Sequence, residues 1–234
     1  MATFVLVHGP SMGGWIFARV ARLLRAEGHD VFAPTLTGCG ERSHLARGEI
    51  NFGTHVEDVL NVLRWEDLHD VVLCGHAYGG AVVTGVADHM PGRVRSLVYL
   101  DSFIPKDGDT LWQHVPEFAR SMLLATTAGH GGLRIDAVPG EFFNLNAADH
   151  DMFSGRCVPM PLACFLDPVR LTGAWQTVLG RHYLHATGWP TSPFLAVAET
   201  LKADPGWKVH SSPGGHIVML DEPETVAKVL LSTT

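Results

Sequence analysis

The chain has 234 residues, 46% hydrophobic and 18% charged, which is enough apolar material for one buried core and fits a single domain over residues 1–234 better than two. Its formal net charge of -7 is spread along the sequence, and no basic patch with interleaved aromatics occurs, so nucleic acid is excluded as an expected partner. An uncharged small molecule is the expected ligand.

Residues 1–9 pass directly into an apolar run without a basic leader or a long apolar stretch, so neither a signal peptide nor a membrane span is expected. The cysteines are Cys39, Cys74, Cys157 and Cys164. Cys74 lies in the apolar run Val71-Val72-Leu73-Cys74, where a buried free thiol is the usual occupant. No C-x-x-C pair is present, which argues against zinc and thioredoxin-like sites, and no metal or cofactor is expected. Reduced cysteines and a cytoplasmic address follow together.

Short apolar runs alternate with helical periodicity, the pattern of parallel strands joined by crossover helices. Residues 4–7 read as the first strand, and Ile16, Val20, Leu23 and Leu24 mark one face of a helix that Gly28 stops. Residues 30–33 read as the second strand. Thr54-x-x-Glu57 has the form of a capping box ahead of Val56, Val59, Leu60 and Leu63 at helical spacing. Residues 70–74 make a third strand, followed by a small-residue helix that starts at Tyr78 and ends before Pro91-Gly92. Residues 94–100, 181–186 and 207–210 read as strands four to six. A last helix starts near Asp221, with Glu224 three residues on and Val226, Val229 and Leu230 facing inward. The expected fold is α/β, a doubly wound, mostly parallel six-stranded sheet. The stretch from about 104 to 179 breaks the rhythm and is rich in Phe, Met and Trp. It reads as a cap inserted over the sheet's carboxyl edge, where ligands bind in such folds.

Gly75-His76-Ala77-Tyr78-Gly79-Gly80 sits where a buried strand turns abruptly into a helix. In spacing and context it matches the G-x-S-x-G nucleophile elbow, except that alanine holds the central position. Glycines suit positions 75 and 79 because strand and helix approach closely there, and the central residue is expected in a strained backbone conformation.

Three segments carry a resemblance to a known family: Leu6-Val7-His8-Gly9 with Gly13-Gly14-Trp15, the elbow at residues 75–80, and Gly214-Gly215-His216 before Asp221-Glu222-Pro223-Glu224. The chain resembles the α/β-hydrolase family over nearly its whole length outside the cap. It is most similar to the small esterase branch that includes plant methylesterases, hydroxynitrile lyases and bacterial hydrolases of methyl esters and carbendazim-like aryl methyl carbamates. Families of this fold use Ser, Cys or Asp at the position of Ala77, and the flanking His76 and Tyr78-Gly79-Gly80 resemble the serine version best. Replacement of a native serine, so that intact substrate could be trapped, is preferred over a decayed enzyme, because a decayed enzyme would be expected to lose its histidine too.

The resemblance also places the general base at His216, on the Gly-Gly loop after the last strand, in the chain order nucleophile, acid, histidine. The acid usually follows the penultimate strand, but no Asp or Glu occurs between Asp167 and Glu199. Asp101, directly after the fourth strand, can reach the same histidine from the neighbouring side, as in some haloalkane dehalogenases of this fold. An aspartate capping a turn toward Pro105 is the competing reading. For the oxyanion hole, the N–H of Tyr78 should supply one donor, unless Tyr78 merely starts the helix. The family's second donor falls on Pro10, which has no N–H. Either Ser11 substitutes through its N–H or hydroxyl, or the hole is weaker, with Ser11 an ordinary loop serine.

Trp112, Phe118, Met122, Phe142, Phe143, Phe153 and Phe165 populate the cap. Each taken singly reads as core; together they suggest an apolar pocket for a small aromatic or acyl group, with Trp112, Phe118, Phe142, Phe143 and Phe165 as substrate contacts. The leading expectation is a hydrolase of small carboxylic esters or aryl methyl carbamates working through an acyl-enzyme, inactive with Ala77 in place. A non-catalytic ligand-binding protein is the alternative. A lyase ranks below both, since Pro10-Ser11 occupy the first loop and no Lys lies near His216.

Overall fold

Alternation along β1 (Thr3–Val7) sets the architecture. Val5 and Val7 belong to one buried cluster, while Phe4 and Leu6 belong to a second. Side chains repeat with period two on a strand, so a sheet covered on both faces reads as a continuous apolar run. The structure is a computed structural model describing residues 1–234.

In chain order, β1 is followed by α1 (Ala18–Ala26), β2 (Asp30–Phe32), α2 (Phe52–Trp65), β3 (Val71–His76), α3 (Tyr78–His89) and β4 (Val94–Leu100). The insertion after β4 holds α4 (Leu111–His114), α5 (Glu117–Thr126), β5 (Arg134–Ile135), α6 (His150–Arg156), β6 (Met160–Pro161) and α7 (Ala163–Leu166). The chain then returns through β7 (Gly180–Ala186), α8 (Leu195–Lys202), β8 (Lys208–Ser212), α9 (Val218–Asp221) and α10 (Pro223–Leu231). No helix is long and apolar enough to cross a membrane.

The main sheet has six strands in the order β2-β1-β3-β4-β7-β8, and every pairing in it is parallel. Residues of α2 and α3 fill the cluster on one face, and those of α1 and α10 the cluster on the other. The strand order reverses at β1 and β3, which creates a crevice at their carboxyl ends. The segment between the adjacent strands β4 and β7 contributes ten of the residues lining that crevice, among them Phe118 and Phe165 from α5 and α7. Its short antiparallel ribbon, β5 with β6, was not expected from the sequence.

Several boundaries differ from the sequence expectation for local reasons. Helix α2 is capped by Asn51, whose side chain accepts the Thr54 N–H at 3.0 Å while the Thr54 hydroxyl takes the Asn51 N–H at 3.4 Å. Thr54 is therefore the third helical residue rather than the cap, since asparagine caps as well as threonine does. Strand β3 starts after Asp70, whose φ of 55° cannot continue an extended ladder, and runs on through His76 because Gly75 and His76 pair with Tyr99 and Leu100. Strand β8 runs from 208 to 212, where its ladder with β7 lies. The last helix is split, because Pro223 begins α10 at the position where a missing N–H costs nothing.

The corner between β3 and α3 lies hard against β1. A Cβ on Gly79 would come within 2.6 Å of the His8 carbonyl oxygen and closer still to that of Val7, and backbone atoms cannot rotate aside. Gly79→Ala is expected to lower unfolding free energy by about 3 kcal/mol, measured by urea denaturation; a loss of only a few tenths would show that the corner is looser than described.

Candidate active site

Ala77 forms the corner between β3 and α3 with φ 50° and ψ -116°, a combination costly for any residue with a Cβ. The surroundings over-determine it. Its N–H donates to the Leu100 carbonyl at 3.2 Å, and its carbonyl accepts from Gly80 N–H (3.1 Å), Phe103 N–H (3.3 Å) and the Ser102 hydroxyl (2.7 Å). The Cβ of Ala77 consequently projects into the crevice, whose lining also includes His216.

His216 is buried, and both its backbone groups are tied. Its N–H donates to the Phe143 carbonyl at 3.0 Å, and its carbonyl accepts from His76 Nε2–H at 2.9 Å. Its ring Nδ1–H donates to Asp101 Oδ2 at 2.8 Å, leaving Nε2 as the nitrogen without a protein partner. The ring packs among His76, Phe143 and Trp189 at centroid distances of 4.6, 4.9 and 4.7 Å, with Phe194 nearly parallel at 5.4 Å. These contacts allow it little rotation.

Asp101 is fully buried at the end of β4, with φ 41°. Its backbone N–H donates to the Leu184 carbonyl at 2.7 Å, which clamps it to β7. The side-chain Oδ1 accepts from His185 Nδ1–H at 3.0 Å and from the Ala186 N–H at 3.2 Å. Burial pushes the carboxyl up, but the bonds from His185, His216 and Ala186 outweigh it and hold it below the ordinary carboxylate value. The structure thus brings Ala77, His216 and Asp101 to one place.

The other expected residues divide. Tyr78 opens α3, so its N–H has no partner within the helix; its hydroxyl donates to His55 Nδ1 at 2.9 Å, while His55 Nε2–H donates to the Thr37 carbonyl. Pro10 lines the crevice beside Ala77. Ser11, with φ 63°, lines a smaller side chamber together with Met12, Phe153 and His216, and its carbonyl accepts from Val158 N–H. Phe118, Phe142, Phe143 and Phe165 line the main crevice. Trp112 does not; it packs edge-on behind Phe165, with centroids 6.5 Å apart, because the short helix α4 sets it against the core. The expectation of a direct contact from Trp112 is corrected accordingly.

Sequence reasoning missed Phe103, Trp189 and Phe194, which also line the crevice. Trp189 and Phe194 lie between β7 and α8, outside the segment read as the cap. A loop at a strand's carboxyl end is where such sheets gather ligand contacts, and that rule alone would have pointed to them. His185 and His8 were missed as well. His8 Nδ1–H donates to the Gly9 carbonyl at 2.7 Å and its Nε2 accepts the Leu36 N–H at 3.0 Å, which fixes the loop passing over Ala77.

A sharp strand-to-helix corner at the carboxyl edge of a parallel sheet, facing an imidazole tied to a buried carboxylate, defines an α/β hydrolase. The chain belongs to the alpha/beta hydrolase family, whose model matches residues 4–229. It is 43% identical over 239 residues to the carbendazim hydrolyzing esterase of Nocardioides sp. (strain SG-4G), with 98% of each chain covered. To the putative chloroplastic methylesterase 11 of Arabidopsis thaliana it is 24% identical, covering 97% of this chain and 63% of that one. Among solved structures, an extracellular α/β-hydrolase from a Paenibacillus species superposes with a TM-score of 0.86 at 22% identity, covering 100% of this chain and 99% of that one, a likeness of fold.

Behind the crevice, burial lowers His8 from 6.5 to about 4, the Gly9 hydrogen bond offsetting only part of it. Burial holds His55 low and His76 lower still, with the nearby His216 ring adding to the effect on His76. All three are neutral in the native state near pH 7. In the unfolded chain each would take up a proton near 6.5, so stability is complete above that pH and declines as pH falls from 6.5 toward 4. His8 alone is worth about 3 kcal/mol over that window. Melting temperature measured from pH 7.5 to 4.5 is expected to fall steeply below pH 6.5; a flat profile would mean that these rings are not buried and neutral.

Proposed function

We propose that this crevice belongs to a serine-type hydrolase of small, uncharged carboxylic esters or aryl methyl carbamates, and that Ala77 occupies its nucleophile position. The observation that carries the reading is the 2.8 Å bond from His216 Nδ1 to the buried Asp101, set beside a strained elbow that presents only a methyl group. The retained pair supports replacement of a serine rather than gradual decay of the site. Similarity to an enzyme described as a carbendazim hydrolyzing esterase supports the carbamate class. The crevice lining, with Phe103, Phe118, Phe142, Trp189 and Phe194 and no Lys or Arg, favours a neutral aromatic substrate. Four unpaired cysteines fit the cytoplasm. We read residues 1–234 as one domain, with about 104–179 as its cap.

With serine at position 77, the hydroxyl proton would pass to His216 Nε2 as the oxygen attacks the substrate carbonyl carbon. The oxyanion formed would meet the Tyr78 N–H at the head of α3 and a donor from Ser11, since Pro10 offers none. Asp101 would hold the imidazolium while its proton goes to the departing alcohol. Water, deprotonated by the same imidazole, would then cleave the acyl-enzyme.

A second reading, a binding protein without turnover, rests on Ala77 as it stands. Putting serine at position 77 separates the two. The Ala77 protein is expected to bind carbendazim measurably by calorimetry yet release p-nitrophenol from p-nitrophenyl acetate ~10⁶-fold more slowly than Ala77→Ser. Equal rates for the two proteins would overturn the nucleophile assignment, and an inert Ala77→Ser protein that still binds would favour the second reading.

A further inference from the structure

Asp101 serves two imidazoles. His216 Nδ1–H donates to Oδ2 at 2.8 Å, and on the opposite side His185 Nδ1–H donates to Oδ1 at 3.0 Å, alongside the Ala186 N–H. His185 lies near the end of β7, in the stretch between Asp167 and Glu199 that contains no acidic residue, and is buried. A carboxylate spreads its acceptor strength over the donors it receives, and hydrogen bonds to the charged form are the strong ones at a buried site. A donor on one oxygen therefore weakens the pull exerted through the other.

We propose that His185 is a positioning residue that sets, through Asp101, the basicity of His216. The inference rests on the reading of Asp101 and His216 as the acid and base of the site. His185 fixes the carboxylate's rotation about its Cβ–Cγ bond, so that Oδ2 faces His216, and it draws off part of the negative charge that would otherwise stabilise the His216 imidazolium. Without that donor the full acceptor strength of Asp101 falls on His216, whose affinity for a proton rises.

The other titratable groups facing this cluster are few. From β3, His76 lies 4.6 Å from the His216 ring and is held neutral by burial. From β7, the Tyr183 hydroxyl donates to the Ser102 carbonyl, and burial keeps it protonated. From the first loop, His8 is neutral above about pH 4. On the far side of the histidine loop, Asp221 Oδ2 accepts the Gly215 N–H at 2.9 Å. None of these touches Asp101 by a hydrogen bond, so His185 is the one side chain other than His216 that shares its charge.

The test needs no catalysis. Proton NMR titration of the His216 ring in the Ala77 protein gives its midpoint directly. His185→Leu, which removes the donor, is expected to raise that midpoint by about one pH unit, a tenfold gain in proton affinity. His185→Asn, whose side-chain NH₂ can replace Nδ1–H, is expected to return it most of the way, which guards against a change caused by misfolding alone. A midpoint that moves by less than 0.2 unit (~0.3 kcal/mol) in His185→Leu, with the ring signal otherwise retained, would overturn the proposal. In the Ala77→Ser background, the acid limb of kcat/KM should move by the same amount; a role confined to packing would lower kcat and leave the limb in place. An inert Ala77→Ser protein would refute the hydrolase reading but leave the titration result for His185 standing.

Discussion

The site depends on one buried carboxylate. Asp101 lies at the junction of β4, β7 and the loop carrying His216, and its side chain accepts from all of the latter two: His185 and Ala186 on β7, and His216 on the loop. A charge of this kind without partners would cost several kcal/mol and would instead stay protonated. With three N–H donors it remains ionised, and each donor is thereby held in place. The same carboxylate that orients an imidazole also fastens the loop after β8 to the centre of the sheet. Position and charge come from a single set of bonds.

The second constraint is the corner at Ala77. A φ of 50° with ψ -116° carries a cost of about 1–3 kcal/mol for a residue with a Cβ. It persists because Leu100, Gly80, Ser102 and Phe103 satisfy both backbone groups, and because Gly75 and Gly79 let α3 sit against β1 and β3. None of these bonds involves the side chain at position 77. The corner's hydrogen bonds are therefore compatible with either alanine or serine at position 77.

Much of this arrangement was legible in the residues. The central strands β1, β3 and β4 announced themselves as valine-containing apolar runs, because both sheet faces are covered there, whereas β7 and β8 carry histidines and polar residues and read less plainly. The resemblance to the α/β hydrolases, with no acid directly after the penultimate strand, pointed to Asp101 over its competing reading as a turn cap, and Asp101 does accept from His216. What could not be read arises from contacts between distant segments. The capping of α2 by Asn51 competes locally with an equally good threonine three residues on, and local chemistry does not separate the two. Trp112 and Phe165 have the same composition signal, yet Phe165 lines the crevice and Trp112 stands behind it. His185 looks like any of 14 histidines until the fold sets it opposite His216 across a carboxylate.

The first loop departs from the pattern expected of the family. Pro10 has no N–H to offer at the place where the resemblance puts the second oxyanion donor, and in the proposed mechanism the loss of one such donor would cost about 3–4 kcal/mol of transition-state binding. The neighbouring residues are nevertheless held firmly: His8 is locked as a neutral ring between the Gly9 carbonyl and the Leu36 N–H, and a Cβ on Gly9 would lie 3.3 Å from that of Ala77. Turned by its positive φ, Ser11 faces the side chamber that His216 also lines. Ser11 thus lines that chamber and not the crevice shared by Pro10, Ala77 and His216. In the proposed mechanism a donor from Ser11 would have to reach the oxyanion from the side chamber, across the boundary that Pro10 and His216 share with the crevice.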